Sequence, residues 1–168
     1  MLGSLRQHEL VEASELLNVQ LQREITERKQ VEAALRESEN RYHSLFNSID
    51  EGFCIIEKVE GEVGQAVDFR YLEANPAFSA QSGMSGMVGK TIRQVLPDEP
   101  EGWCFLYETV LYTGKPIKFE RELTSHGRML ELYAFRVEDQ TDRRVAVIFK
   151  DITERKRADA ALRESEER

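Results

Sequence analysis

The stretch Asp151-Ile152-Thr153-Glu154-Arg155-Lys156 marks the point where a strand gives way to a helix. An apolar run, Val145-Ala146-Val147-Ile148-Phe149, precedes it, and a charged sequence with helical periodicity follows. Asp151 is suited to cap the new helix, because its carboxylate can accept a hydrogen bond from an amide of the first turn. Glu154, three residues later, can complete a capping box. The sequence therefore predicts that a buried strand passes directly into an exposed helix.

A similar connector occurs earlier in the chain. Ile25-Thr26-Glu27-Arg28-Lys29 returns as residues 152–156, and the sequence of residues 33–39 returns at residues 160–166. The second copy of the connector begins 152 − 25 = 127 residues after the first. We interpret the region between the two connectors as one unit of an array, and we expect the second connector to lead into a further module.

Composition limits the classes of function. The 168 residues include 23 Lys and Arg against 31 Asp and Glu, a net charge of −8, and the basic residues are interleaved with acids, which disfavours nucleic-acid binding. No apolar run approaches the ~20 residues needed to span a bilayer, so we expect a soluble, cytoplasmic chain without a membrane segment. Cys54 and Cys104 lie among apolar residues and suggest neither a disulfide nor a zinc site. Core packing is favoured over redox sensing, because neither thiol has a cationic sequence neighbour.

The first 48 residues predict a long helix that dimerises. There is no proline before residue 49, and a 4-3 spacing of apolar positions runs from residue 10 to residue 49, with interruptions near residues 24–28. We predict a homodimer of parallel helices that associates through both helical flanks of the chain, with a solvated single helix held by ion pairs as the alternative for the N-terminal flank. The helix is expected to end near Asp50-Glu51-Gly52, because Gly52 suits the C′ position. The predicted dimer seam contains Leu10, Leu17, Leu21, Val31, Leu35, Tyr42 and Leu45.

The middle of the chain predicts an α+β fold with a five-stranded antiparallel sheet and short helices on one face. Long helices at the two ends complete this fold class. Gly61 and Gly64 mark a hairpin loop, and Asn75 is placed to cap a helix that begins at Pro76. The predicted strands are residues 53–56, 67–74, 117–124, 128–137 and 144–150, and the predicted helices are residues 76–81, 102–112 and a piece within 87–96.

Over about residues 44–156, the chain resembles the PAS family in the order and spacing of several short sequence motifs. The pieces that carry the resemblance are Gly52-Phe53-Cys54-Ile55-Ile56-Glu57, Tyr71-Leu72-Glu73-Ala74-Asn75-Pro76-Ala77-Phe78, Val88-Gly89-Lys90, Leu111-Tyr112-Thr113-Gly114-Lys115-Pro116 and Asp151-Ile152-Thr153-Glu154-Arg155-Lys156. The flanks resemble the coiled-coil signalling helices that join PAS domains in bacterial multidomain sensors. This resemblance implies an N-terminal linker helix at residues 1–43, a PAS domain at 44–151 and the start of a signalling helix at 152–168.

The resemblance also implies a pocket between the sheet and the short helices, which in different members holds haem, flavin, a metabolite or nothing. Flavin-binding members of the light-oxygen-voltage class carry a reactive cysteine in a Gly-Arg-Asn-Cys-Arg-Phe stretch. The matching residues in this chain are Gly89-Lys90-Thr91-Ile92-Arg93-Gln94, in which Ile92 takes the place of the reactive cysteine. Haem-binding members use a histidine in the longest core helix, and residues 102–112 have none. No cofactor is therefore evident, and the identity of any small-molecule ligand is unknown.

By similarity to flavin-binding relatives, one parity of each strand should face the pocket and the other the outside. The predicted pocket residues are Cys54, Ile56, Phe78, Trp103, Tyr107, Leu132, Ala134, Val145, Val147 and Phe149. Phe53, Ile55, Tyr133 and Phe135 should face outward, under cover of the flank around Tyr42, Leu45 and Phe46. The predicted signal-transfer motif is Asp151, Ile152, Thr153, Glu154 and Arg155.

No catalytic or metal-binding constellation appears in the sequence. His8-Glu9-Leu10 is similar to the start of a histidine-kinase phospho-acceptor box, but the Arg and Pro of that box do not follow. We therefore expect a non-enzymatic sensory or signal-relay module of a bacterial receptor of the histidine-kinase or diguanylate-cyclase type, with an output domain downstream in the same polypeptide. The alternatives are a pocket that senses a small apolar or aromatic ligand, a catalytic flavoprotein or haem protein, and a passive dimerisation spacer.

Overall fold

A computed structural model describes residues 2–60 and 66–167. The predicted hairpin loop at Gly61 and Gly64 lies outside the described residues. Contacts divide the chain into two units, Met1–Leu45 and Phe46–Arg168. Helix α1 (Leu2–Ser48) covers the described part of the first unit, and its last three residues belong to the second. Its 47 residues correspond to a length of about 70 Å at 1.5 Å per residue.

Helix α1 carries its apolar side chains on the surface. Residues 3–45 are all exposed, and the seven predicted seam residues range from 41% exposure at Tyr42 to 69% at Leu10. A helix of this length with no internal core depends on a partner or on solvated ion pairs for its stability. Arg41 and Glu37 form one such pair at 3.0 Å.

The second unit holds a five-stranded sheet in the order β2-β1-β5-β4-β3, in which all neighbours are antiparallel. The predicted α+β fold class is confirmed. The strands are β1 (Gly52–Val59), β2 (Asp68–Ala74), β3 (Ile117–Leu123), β4 (Arg128–Arg136) and β5 (Arg144–Asp151), and the helices are α2 (Pro76–Ser82), α3 (Ile92–Val95), α4 (Pro100–Thr113) and α5 (Thr153–Glu167). A 3-10 turn, Thr124–His126, joins β3 to β4.

The expected end of the helix near Asp50-Glu51-Gly52 is too late, and the C′ position expected for Gly52 is wrong. Helix α1 ends at Ser48, and Gly52 is the first residue of β1, where it pairs with Phe149 of β5. A Cβ at position 52 would lie against the Phe149 ring, closer than real Cβ contacts allow. Glycine is therefore needed here for the close approach of an aromatic ring, and β1 is longer than predicted because its pairing with β5 runs from Gly52 to Glu57.

The strands alternate between a buried inner face and a partly exposed outer face. Cys54 pairs with Val147, which pairs with Ala134, and all three are buried on the inner side. The next residue of β1, Ile55, lies partly exposed on the outer side. Phe46, within the second unit, packs edge-on against Phe53 with ring centroids 5.2 Å apart. The inner face and helices α2, α3 and α4 together form the core, and Phe69, Ile92 and Val110 are among its buried residues.

Candidate functional site

The core contains a small cavity between the inner face of the sheet and helices α2, α3 and α4. Its volume is about 30 Å³. That is room for about two water molecules, since one water needs ~10–15 Å³ measured in the same way. The cavity is lined by Cys54, Tyr71, Phe78, Ser82, Met84, Ile92, Leu96, Trp103, Tyr107, Leu123, Leu130, Leu132, Val147 and Phe149.

Most of the predicted pocket residues meet at this cavity. Ile56 and Val145 pair with each other, two positions away from the Cys54–Val147 pair on the same two strands. Both are fully buried, and neither lines the cavity. The Ala134 side chain is a single methyl group, and it too lies in the core without lining the cavity. The predicted residues that line it are Cys54, Phe78, Trp103, Tyr107, Leu132, Val147 and Phe149.

Sequence reasoning missed half of the cavity wall. Tyr71 and Leu130 could have been found, because each has the strand parity of a residue that faces inward. Met84 and Leu96 lie outside the regular helices and strands, where no periodicity indicates which side chain points into the core. The missed residues are Tyr71, Ser82, Met84, Ile92, Leu96, Leu123 and Leu130.

The ionisable groups around the cavity are neutral at physiological pH. Burial raises the pKa of the Cys54 thiol and of the Tyr71 and Tyr107 phenols well above their ordinary values. Burial also raises the pKa of the nearby Cys104 thiol to about 11. A reactive cysteine depends on its thiolate form, so the protonated thiols of Cys54 and Cys104 are poor redox sensors.

Trp103 of α4 lines the cavity beside a cationic and an aromatic side chain. The guanidinium carbon of Arg121 lies 5.1 Å from the centre of the Trp103 ring, and the Tyr107 ring stacks beside it at 6.3 Å. Within residues 2–60 and 66–167, the buried Nε1 of Trp103 has no hydrogen-bond partner. Because an unmade hydrogen bond of a buried donor costs free energy, this N–H group favours an acceptor brought from outside the chain.

The second candidate region is the junction between β5 and α5, which contains the predicted signal-transfer motif. Strand β5 ends at Asp151 and helix α5 begins at Thr153, so only Ile152 separates them. The Asp151 carboxylate accepts hydrogen bonds from the backbone N–H (2.9 Å) and the hydroxyl of Thr153. Asp151 therefore caps the first amide of the helix, rather than the second or third amide that an N-cap residue serves.

The same junction is tied to the start of β4. The Thr153 hydroxyl oxygen accepts a hydrogen bond from the backbone N–H of Met129 at 2.9 Å. The backbone N–H of Ile152 donates to the carbonyl of Met129 at 2.8 Å, and the Ile152 side chain is buried. These contacts fix the first turn of α5 on the end of the sheet.

Ion pairs continue this attachment along the first turn of α5. Arg155 lies 3.3 Å from Glu131 of β4 and 3.6 Å from Glu120 of β3, and Lys156 lies 2.7 Å from Glu120. Ion pairs in contact with solvent contribute little to stability, so these pairs orient the helix more than they stabilise it. Glu154 is exposed, and the hydrogen bonds of the described junction do not include it, so the predicted capping box is not formed.

The family model described as the PAS fold matches residues 66–157, which is 92 of the 168 residues. The chain belongs to the PAS fold family. The match includes the cavity helices and the β5–α5 junction but begins after β1. No curated protein matches the sequence significantly.

Solved PAS domains share this fold at low sequence identity. The PAS domain of an HTR-like protein from Haloarcula marismortui is 22% identical with a TM-score of 0.54, and the match covers 74% of this chain and 99% of that one. The PAS domain of BvgS from Bordetella pertussis is 21% identical with a TM-score of 0.50, covering 78% and 98%. An RNA-binding light-oxygen-voltage receptor is 15% identical with a TM-score of 0.54, covering 76% of this chain but 37% of that one.

The cavity of this PAS domain does not fit a haem or a flavin. Either group is far larger than a space of about 30 Å³. Ile92, which the sequence resemblance matches to the reactive cysteine of the light-oxygen-voltage class, lines the cavity with an aliphatic side chain. Over the described ranges, no cluster of three or more His, Cys, Asp or Glu residues could hold a metal ion. Within the same ranges, no helix is long and apolar enough to cross a bilayer.

Replacing Asp151 should weaken the junction of the PAS domain. We expect Asp151→Ala to lower the free energy of unfolding by ~1 kcal/mol, the usual effect of losing a helix cap. Chemical denaturation followed by circular dichroism measures the change. Asp159→Ala, on an exposed part of the same helix, is the matched control and should cause no loss. Equal midpoints for the Asp151 variant and the wild type would show that this cap contributes nothing.

Proposed function

We propose that the chain is a non-enzymatic signal-relay and dimerisation module of a bacterial-type receptor. In this proposal two copies associate through the seam of α1, and α5 passes a signal to an output domain further along the same polypeptide. The signal takes the form of a rotation or a change of register of a helical pair. The parent receptor would be of the histidine-kinase or diguanylate-cyclase type.

The observation that carries this proposal is the fixed attachment of α5 to the sheet. Backbone, hydroxyl and ion-pair contacts hold residues 151–156 against β3 and β4, so a small movement of the sheet changes the direction of α5. A flexible tether would have no need for such contacts. The connector that begins at Ile152 also repeats the sequence that begins at Ile25 in α1, which supports a common role for the two helices.

A series of insertions after Ala160 tests the relay. Each inserted residue rotates the following segment by ~100°, whereas seven residues restore the apolar seam of a supercoiled pair and add about 10 Å of length. We place insertions of one to seven residues in a chimera whose α5 continues into the dimerisation helix of a sensor kinase. Autophosphorylation should change strongly with one inserted residue and return towards the parent value with seven.

The seven-residue insertion is the internal control of this series, because it changes length without changing helical phase. Kinase output that is indifferent to the number of inserted residues would make α5 a tether. The passive-spacer alternative would then replace the relay.

A second candidate function, ligand sensing, is favoured by Trp103. Trp103 lines the cavity, and its buried Nε1–H has no partner among the described residues, which suits a small neutral molecule that carries a hydrogen-bond acceptor. We expect denaturing mass spectrometry of the purified protein to release such a molecule, and Trp103→Phe to lower its occupancy. Tyr112→Phe, which removes a hydroxyl from a side chain that is 91% exposed, is the control. Protein that releases no small molecule would leave the relay without a ligand of its own.

A further inference from the structure

One side-chain amide joins the two ends of the PAS domain. The Oε1 atom of Gln81 accepts a hydrogen bond from the backbone N–H of Asp151 at 2.7 Å. The Nε2 atom of the same side chain donates to the backbone carbonyl of Asp50 at 3.1 Å. Asp50 lies in the loop that leads from α1 into β1, and Asp151 is the last residue of β5. Gln81 therefore contacts the chain both where it enters and where it leaves the sheet.

The Gln81 amide has a single satisfactory orientation between these partners. Asp151 offers a donor and Asp50 offers an acceptor, so the oxygen of the amide must face Asp151 and the nitrogen must face Asp50. Rotating the amide by 180° would place its nitrogen against the N–H donor of Asp151 and its oxygen against the carbonyl acceptor of Asp50. A flip of the amide would consequently lose both hydrogen bonds at once.

Gln81 belongs to α2, the helix that also forms part of the cavity wall. Phe78 and Ser82 of this helix line the cavity, and Gln81 is the residue before Ser82. The Ser82 hydroxyl donates to the carbonyl of Phe78 at 2.7 Å, and this hydrogen bond links the two residues of α2 that line the cavity. Any displacement of Phe78 or Ser82 therefore moves the backbone from which Gln81 extends.

The other end of α2 is held to the incoming loop by Asn75. Its Oδ1 accepts from the backbone N–H of Phe53 at 2.8 Å, and its Nδ2 donates to the carbonyl of Glu51 at 3.0 Å. Because Asn75 is buried and caps α2, this end of the helix is anchored to the loop that precedes β1. Gln81 and its two hydrogen bonds lie at the opposite end of α2.

A second contact links the C-terminal end of α2 to the same junction. Arg128 of β4 donates from Nη1 to the carbonyl of Ala80 at 2.6 Å, and its Nε lies 3.9 Å from the Asp151 carboxylate. This contact reaches the Asp151 side chain, whereas Gln81 binds its backbone. The two routes can be separated by replacing Gln81 alone.

We propose that Gln81 is a positioning residue that couples the state of the cavity to the start of α5. A change in the packing of the cavity shifts α2, breaks the two Gln81 hydrogen bonds together and releases the junction at Asp151 from the loop at Asp50. The use of this coupling in signalling rests on the relay proposed above. The coupling itself is a property of the isolated chain and is measured there.

Amide hydrogen exchange of the 168-residue chain, resolved by NMR, tests the first step. Gln81→Met keeps the length of the side chain and removes both polar atoms. Exchange of the Asp151 amide should accelerate roughly fivefold, the effect of losing one ordinary hydrogen bond. Gln140→Met, at an exposed glutamine in the loop before β5, is the matched control and should leave that amide unchanged. An unchanged rate in Gln81→Met would overturn the proposal.

A double-mutant cycle tests whether the coupling runs through Gln81. Phe78→Leu alters the cavity wall on α2 and should accelerate exchange at Asp151 when Gln81 is present, but add little in the Gln81→Met background. Met84→Ala, at another cavity residue close to α2, serves in place of Phe78→Leu if that variant does not fold. Equal effects in both backgrounds, or no effect at Asp151 in either, would show that Gln81 does not couple the two regions. None of these outcomes depends on kinase output, so the coupling and the relay can fail separately.

Discussion

Phe149→Ala should lower the free energy of unfolding by ~3–5 kcal/mol, the usual range for removing a large aromatic side chain from a core that cannot collapse. Phe149 lies in β5 with only 3% of its surface exposed. Its ring packs edge-on against Phe78 with centroids 4.9 Å apart, and it covers Gly52 on the neighbouring strand. Since position 52 has no side chain to move into the space, the void left by the ring should persist.

Denaturation by guanidinium chloride, followed by far-ultraviolet circular dichroism, measures this loss. Phe105→Ala is the matched control, because the Phe105 side chain of α4 is 70% exposed and should cost little. A loss below 1 kcal/mol for Phe149→Ala would contradict a rigid cavity wall. Together with a small molecule that is released from the wild-type protein, it would favour the ligand-sensor alternative.

Removal of residues 1–40 should convert the protein from two chains per particle to one. The truncation deletes most of the exposed apolar stripe of α1, including Leu10, Leu17 and Leu35. Burial of such a stripe against a second helix is the main source of stability for a long helix in water. Light scattering at micromolar concentration measures the mass, and a truncated chain that remains fully dimeric would contradict association through α1.

Substitutions within the full-length helix provide a sharper version of this test. Leu17→Gln together with Leu21→Gln removes two seam residues, whereas Leu16→Gln together with Val19→Gln removes two similarly exposed apolar residues outside the seam. Both pairs make the surface more polar. Only the seam pair should weaken the dimer, because the heptad places Leu17 and Leu21 at the interface.

The sequence predicted the bounds of helices and strands best where a periodic pattern began or ended at a residue that favours such a boundary. Asn75 and Pro76 predicted the start of α2 correctly, and the hydrogen bond from the Phe78 amide to the Asn75 side chain confirms this cap. Helix α4 is also close to its prediction, because Gly114 ends it in the left-handed conformation. The end of α1 was placed too late, because Gly52 fits two patterns equally well. A glycine after a helix resembles a C-cap, and only the ring of Phe149 across the sheet decides its true role.

The cavity was harder to predict than the sheet that supports it. Strand parity brings Cys54, Leu132 and Val147 to one face. The size of the space, however, depends on how side chains from α2, α3 and the intervening loops fill it. Met84 belongs to such a loop, and no pattern in the sequence points it inward. The cavity volume of about 30 Å³ is the small difference between the space enclosed by the sheet and helices and the total volume of the side chains that fill it. A pattern of residue types does not contain this difference.

The pairing of the first strand with the last has a consequence for how such a chain can change over evolutionary time. Gly52, at the start of β1, lies opposite Phe149, two residues before the end of β5. Paired backbones in a sheet are about 5 Å apart, little more than the spacing of two successive residues. Excision of the whole region between them would leave two ends that one or two residues can rejoin. The domain is therefore a cassette, which can be gained, lost or duplicated with little displacement of the segments on either side of the cut.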